Sequence, residues 1–350
     1  MGLRKTVFGR AKHLFLSSDL GTGSSKYANA VLGSDGCIYC VPSNASFILK
    51  INIVTQTVTN VGSNLGNGGL KYAGGVLAPD NCIYFSPYNA TRILKFDIAT
   101  QTSSFVGVDL GSGSLKYVSA VLAIDNCIYF SPFGANRILK FDIATQSSSF
   151  VGTGLPSCIC GILGSDACIY FAPGNTATRI LKLDVATQTT SFVGLDLGSI
   201  SNKYNGGISA PDNCIYFSPS GATRILKFDI ATQTSSFVGV DLGSGSDKYN
   251  GASLGTDGNI YFTPTLRNKI LKFNISNQSS STIGTELPIG KRLYSGDVLG
   301  PDGYIYFIPH TSSRVLRYKL PAPPAPADCQ IPTNLANLPT SNYNKYYNKL

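Results

Sequence analysis

Asp80-Asn-Cys-Ile-Tyr84 decides how this chain folds, because the phrase returns along its whole length. The other copies are Asp35-Gly-Cys-Ile-Tyr39, Asp125-Asn-Cys-Ile-Tyr129, Asp166-Ala-Cys-Ile-Tyr170, Asp212-Asn-Cys-Ile-Tyr216, Asp257-Gly-Asn-Ile-Tyr261 and Asp302-Gly-Tyr-Ile-Tyr306. From tyrosine to tyrosine the steps are 45, 45, 41, 46, 45 and 45 residues. A fixed period of that size means one supersecondary unit stacked on itself.

Working outward from Asp80, Tyr72-Ala-Gly-Gly-Val-Leu77 reads as a first strand and Pro79-Asp-Asn81 as a hairpin turn. Cys82-Ile-Tyr-Phe-Ser86 is a second strand stopped by Pro87, which has no amide proton for a ladder. Arg92-Ile-Leu-Lys-Phe-Asp-Ile98 and Thr102-Ser-Ser-Phe-Val106 complete four strands, and residues 107–114 cross to the next copy. Such sheets are apolar on both faces, so each must be covered by another on either side. Seven of them set radially give an all-β, seven-bladed β-propeller of four-stranded antiparallel blades. The small residues of the first strands, such as Ala73-Gly-Gly75 and Asn205-Gly-Gly207, fit a crowded axis.

The seventh copy ends at Pro321 without a fourth strand, while His13-Leu-Phe-Leu-Ser-Ser-Asp-Leu-Gly21 aligns with Ser103-Ser-Phe-Val-Gly-Val-Asp-Leu-Gly111. The expectation is an N-terminal strand near His13–Ser17 that completes the last blade and closes the ring. The domains then read as a basic extension (1–12), the propeller (13–320), a Pro-rich spacer (321–327) and an Asn/Tyr/Lys-rich arm (328–350).

Charged residues make up only 13% of the chain, and no apolar run approaches the ~18 residues that span a membrane. Of the net charge of +9, four come from Arg4, Lys5, Arg10 and Lys12, and the tail adds one. The mild excess left for the body selects no nucleic acid. Of nine cysteines, five (Cys37, Cys82, Cys127, Cys168, Cys214) share one repeat position and read as buried thiols. Neighbouring sheets stand ~10 Å apart, beyond the reach of a disulfide. Reduced thiols and no signal-like segment after Met1 suggest a cytoplasmic protein, or one packaged in the cytoplasm. Met1-Gly-Leu-Arg-Lys-Thr6 matches the myristoylation pattern, which makes Gly2 a candidate lipid anchor.

The Asp-Gly-x-Ile-Tyr and Ile-Leu-Lys-Phe-Asp-x-Ala-Thr-Gln pieces, over residues 13 to 320, resemble the blades of the broad NHL, YVTN and kelch-like repeats. The resemblance is to the general blade pattern. The kelch double glycine and the WD40 Trp-Asp pair are absent, and the chain has no tryptophan. It implies a propeller that serves as a binding scaffold or, in some members, an enzyme, and carries over no catalytic residue.

The chemistry of an enzyme is thin. Two histidines, His13 and His310, cannot make a three-histidine metal site, and the only glutamate is Glu286. The repeated aspartates sit in turns, where their side chains bond nearby amides. Asp297 differs, standing in an axial strand where other copies carry small or neutral residues. Cys158-Ile-Cys160 has the wrong spacing for a zinc knuckle, and both side chains are expected in packing. No cofactor or metal is expected.

The most suggestive feature is a ring of Lys-Tyr pairs in the loops between blades: Lys71-Tyr72, Lys116-Tyr117, Lys203-Tyr204 and Lys248-Tyr249, with Lys26-Tyr27 and the variant Lys291-Arg292-Leu-Tyr294. The loop joining strands two and three is followed by Arg92, Arg137, Arg179, Arg224, Lys269 and Arg314 on the same face. That face is expected to hold an acidic protein partner through charge-assisted bonds. The competing reading packs each tyrosine at a blade junction. The 41-residue step lacks the pair and leaves one sector shallower. With Tyr343, Tyr346 and Tyr347 on a stiff polyproline spacer as an attachment arm, the chain reads as a non-enzymatic scaffold in a larger assembly or virus particle. The alternative is a lactonase- or lyase-like enzyme at the channel mouth, near Asp297 and His310.

Overall fold

The structure, a computed structural model, describes residues 13–320 apart from 17, 18 and 22. The expected terminal segments 1–12, 321–327 and 328–350, with Gly2, Tyr343, Tyr346 and Tyr347, lie outside the described residues. Seven four-stranded antiparallel sheets form a ring of blades. Blade 2 is typical: inner strand Tyr72–Leu77, second Cys82–Pro87, third Ile93–Asp97 and outer Thr102–Val106. In blade 7, His13–Phe15 lies antiparallel to Leu316–Lys319, with His13 opposite Tyr318 and Phe15 opposite Leu316. Leu16 continues the contact, its amide donating to the Val315 carbonyl at 3.1 Å and its side chain buried between blades 7 and 1. No described helix is long and apolar enough to cross a membrane.

Burial follows from position in the stack. Second strands are buried on both faces, as a sheet covered from both sides must be, and outer strands are mostly exposed. Between blades, Tyr84 packs its ring 5.4 Å from Phe141, Tyr39 5.3 Å from Phe96, and Tyr216 5.1 Å from Phe273. Burying each such ring contributes roughly 2–3 kcal/mol. At the axis the inner strands almost touch. A Cβ on Gly74 would lie 2.7 Å from the Ser119 Cα, so no larger residue fits there.

The repeated phrase builds a clasp across five of the seven junctions. Asp80 accepts from the Cys82 amide and, through Oδ2, from the Tyr84 hydroxyl at 2.7 Å, and it pairs with Lys95 at 3.0 Å. Gln146, from the outer hairpin of blade 3, donates to the same Tyr84 oxygen at 3.3 Å and to its own turn at Ile143. Gln101, Gln188, Gln233 and Gln278 repeat the reach to Tyr39, Tyr129, Tyr170 and Tyr216. All five glutamines hold positive φ, near 56°. This left-handed conformation costs about 1–2 kcal/mol in a non-glycine residue, so the clasp has to offset it. Burial alone would raise the Asp80 carboxyl; Tyr84 and Lys95 outweigh it and hold it below the ordinary carboxylate value. The turn role assigned to these aspartates is correct but incomplete, since lysine and tyrosine converge on them and the tyrosine also takes the next blade's glutamine.

The described cysteines are free thiols, and all but Cys160 are buried. Cys158 and Cys160 both enter packing as expected, but they do not point the same way: Cys158 lies in the core between blades 3 and 4, and Cys160 packs against that between blades 4 and 5. A register shift between Cys158 and Gly161 leaves Cys158 in the core and turns Cys160 to the channel.

Candidate functional site: the channel mouth

The Lys-Tyr ring is not an exposed cationic surface, and that expectation is corrected here. Tyr72, Tyr117, Tyr204 and Tyr249 are buried at blade junctions, as the competing reading had it. The lysines are not solvated either. Lys203 and Lys248 are each 1% exposed. Lys203 donates to the Ala177 carbonyl at 2.9 Å, and Lys248 to Gly221 and Gly245 at 3.1 and 2.6 Å. Lys71 reaches Gly66 and Gly68 at 2.9 and 3.0 Å, and Lys116 reaches Asn89 at 3.2 Å. Burial lowers the pKa of all four. The physical reason is backbone demand: each crossing loop exposes carbonyls with no ladder partner, and the ammonium folds back to satisfy them. Arg92, Arg137, Arg179, Arg224 and Arg314 are exposed cations beside these loops, and Lys291 is exposed in the variant loop. Lys269 pairs with Glu286 at 3.3 Å.

Arg292 is the one residue of that ring that reaches the axis. It pairs with Asp247 at 2.6 Å, and both line a cavity of about 440 Å³ at the end of the channel. Three sets of equivalent positions surround this mouth and change character around the ring, although Leu115, Gly174, Ser220 and Thr265 stand back from the cavity itself and blade 1 contributes the polar Ser25 and Ser43. The second residue of each inner strand is Ala28, Ala73, Val118 and Ile159 in blades 1 to 4, then Asn205, Asn250 and Ser295 in blades 5 to 7. The residue after each second-strand proline is Ser43, Tyr88, Phe133 and Gly174, then Ser220, Thr265 and His310. The residue two before the inner strand is Ser25, Leu70 and Leu115 in blades 1 to 3, and Asn202, Asp247 and Arg292 in blades 5 to 7. Leu70 and Leu115 hold φ of 46° and 58°, a strained choice for leucine.

The apolar wall therefore carries two aromatic rings, Tyr88 and Phe133, with centroids 6.0 Å apart. Opposite, the Ser25 hydroxyl lies 3.1 Å from His310 Nε2. Burial pushes the His310 pKa down to about 4, and repulsion from Arg292 adds to the shift, so the ring is neutral at pH 7.

Asp297 stands at the junction of blades 6 and 7. The equivalent positions elsewhere are Ala30, Gly75, Ala120, Gly161, Gly207 and Ala252, packed against a valine or isoleucine of the preceding blade. In front of Asp297 that valine is replaced by Ser253. Burial pushes the carboxyl pKa up to about 6, against hydroxyls of Ser253 and Thr263 that favour the anion. No charged side chain contributes to the shift, and Oδ2 is buried without a hydrogen-bond partner. Its Oδ1 fills the space a side chain on Gly251 would need. Among the described residues no group of three metal-ligating side chains converges.

Sequence reading isolated Asp297, His310 and Arg292 but missed Tyr88, Phe133 and Asp247. The signal was available: within near-identical blades, the residue after each second-strand proline is the one that keeps changing.

No protein-family model matches the chain, and neither does any curated protein. The fold is similar to that of a streptogramin B lyase (TM-score 0.74, 15% identity, covering 91% of this chain and 100% of that one). It is similar also to catalytically inactive virginiamycin B lyase from Staphylococcus aureus with quinupristin (0.72, 15%, 89% and 99%). Hydrazine synthase from Kuenenia stuttgartiensis matches at 0.66, with 11% identity over 91% and 99%. At these identities the likeness is one of fold.

Proposed function

We propose that the protein is a non-enzymatic binding propeller that engages its partner at the open end of the channel. The single observation that carries this reading is the division of the mouth into a mainly apolar sector on blades 2 to 4, with Leu70, Tyr88, Val118, Phe133 and Ile159, and a mainly polar sector on blades 5 to 7 and 1, with Asn205, Asp247, Asn250, Arg292, His310 and Ser25. The frame repeats and needs no such division, so the division answers to something held between the two sectors. Apolar pockets with a few convergent polar groups are the usual form of a ligand site. The occupant is amphiphilic: a flat or branched apolar part against Tyr88 and Phe133, a polar part toward Arg292, Asp247 and His310. The arm at 328–350 remains the expected tether to a larger assembly.

A thermal-shift screen of small amphiphiles tests this. Compounds that stabilise the wild type should lose their effect in Tyr88→Ala/Phe133→Ala and in Arg292→Ala, and keep it in the rim control Arg92→Ala. Hits that survive both mouth variants would overturn the assignment.

The second reading is an enzyme at the same mouth. It is favoured by a carboxyl with a pKa of about 6 near neutral His310, since general acids and bases work best with pKa values near the working pH. Turnover abolished by Asp297→Asn would establish it.

A further inference from the structure

We infer that the mouth selects a primary ammonium group, seated on Asp297, with the apolar remainder of the ligand lying along Tyr88 and Phe133. The inference rests on the reading of the mouth as a ligand site and names the chemistry it recognises.

The repeat supplies the internal control. Six junctions close their axial layer with a glycine or alanine against a valine or isoleucine of the preceding blade. The junction of blades 6 and 7 alone replaces both partners, with Asp297 on one side and Ser253 on the other. A carboxylate in a tight, partly desolvated crevice costs stability unless something compensates. Ser253 and Thr263 are the only side chains that favour its charge. The cation nearest in the ring of mouth residues, Arg292, is already held by Asp247 at 2.6 Å. His310 is neutral and Lys26 donates to the Gly23 carbonyl at 2.9 Å. Among the described residues the mouth thus offers a negative charge with no protein cation committed to it. Asn29, on the inner strand of blade 1, and Asn250, on that of blade 6, line the same cavity. Their amide oxygens suit an ammonium, which carries three donors and no acceptor. An anionic ligand would instead face an uncompensated carboxylate.

The size of the cavity fits the same class. At about 440 Å³ it lies within the range of small-molecule sites. The aromatic pair gives the ligand's carbon skeleton a surface, and Tyr88 also offers a face for the cation on its way in. A small amine and the free amino end of a peptide share this chemistry, and the probes below separate them.

Calorimetry on the full chain at pH 8 with 2-phenylethylamine, 2-phenylethanol and 3-phenylpropionate provides the test. The amine should bind at least about tenfold more tightly than the alcohol, the size of one charge-assisted hydrogen bond, and the acid should bind least. The preference should vanish in Asp297→Asn and in Asp297→Ala. The alanine variant is a safe one, because blades 3 and 6 carry Ala120 and Ala252 at this position. The preference should also shrink at pH 5, where Asp297 is protonated. A Phe-Ala-Ala amide with a free amino end, compared with its acetylated form, distinguishes the peptide source: tighter binding than 2-phenylethylamine identifies a chain end, weaker binding a small amine. Equal affinity for amine and alcohol in the wild type, or a preference that persists in both variants, would overturn the ammonium assignment. If the alcohol binds and Tyr88→Ala abolishes that binding, the mouth reading survives this failure. If no probe binds, both fall.

Discussion

Asp297 and His310 are titrating side chains placed where the fold pushes their pKa values in opposite directions. An unfolded aspartate titrates near ~3.9, whereas Asp297 has a pKa of about 6. The folded state therefore holds this proton more tightly, and acidification from pH 6 to 4 stabilises it. His310, at about 4 against ~6.5 unfolded, excludes its proton on folding, so acidification from pH 6.5 to 4 destabilises. Each effect is worth roughly 2 kcal/mol after allowance for partial exposure. They offset one another, so the fall of the wild-type urea midpoint toward pH 4 should be left to the clasp aspartates, whose lowered pKa values make acidification destabilising. Asp297→Ala should be more stable than the wild type at pH 8 by roughly 2 kcal/mol and should lose stability steadily as the pH falls. An alanine variant no more stable at pH 8 would show that the carboxylate is not strained. Asp297 was legible in the sequence because it breaks a repeated pattern. The lysines were not: a Lys-Tyr pair reads the same whether its ammonium meets water or folds back onto carbonyls, and only the path of the loop decides.

The element that matters most is the hairpin joining third and outer strands, since its glutamine ties one blade to the one before. Its Ala-Thr-Gln sequence was legible as a turn. The inter-blade bond was not, because Gln146 and Tyr84 lie 62 residues apart and the register of neighbouring sheets has to be known first. If the clasp is real, Tyr84→Phe should cost about 1–2 kcal/mol, Gln146→Ala about 1, and the pair less than the sum. The same cycle at the junction of blades 6 and 7 has no glutamine to remove among the described residues. There the Tyr261 ring faces Tyr318 at 6.3 Å, in a blade whose outer strand is His13–Phe15. Strict additivity of Tyr84→Phe and Gln146→Ala in urea unfolding would show that the bond carries no load.

At the scale of the molecule, repetition and variation separate cleanly. Clasps, buried tyrosines and lysine anchors recur from blade to blade and make a rigid ring; variation concentrates where the blades meet the channel. The number of blades and the strand order could be read from the spacing of Ile-Tyr, because sheets with two apolar faces leave few arrangements. The polarity of the mouth could not, since it emerges only when equivalent residues from seven blades are brought around one axis. A crystal structure of the protein soaked with 2-phenylethylamine tests that polarity most directly. Electron density is expected in the 440 Å³ cavity, with the phenyl ring on the Tyr88–Phe133 side and the nitrogen on the Asp297 side. Density confined to the outer rim, or a ligand lying in the cavity with its ring against blades 5 to 7, would contradict it.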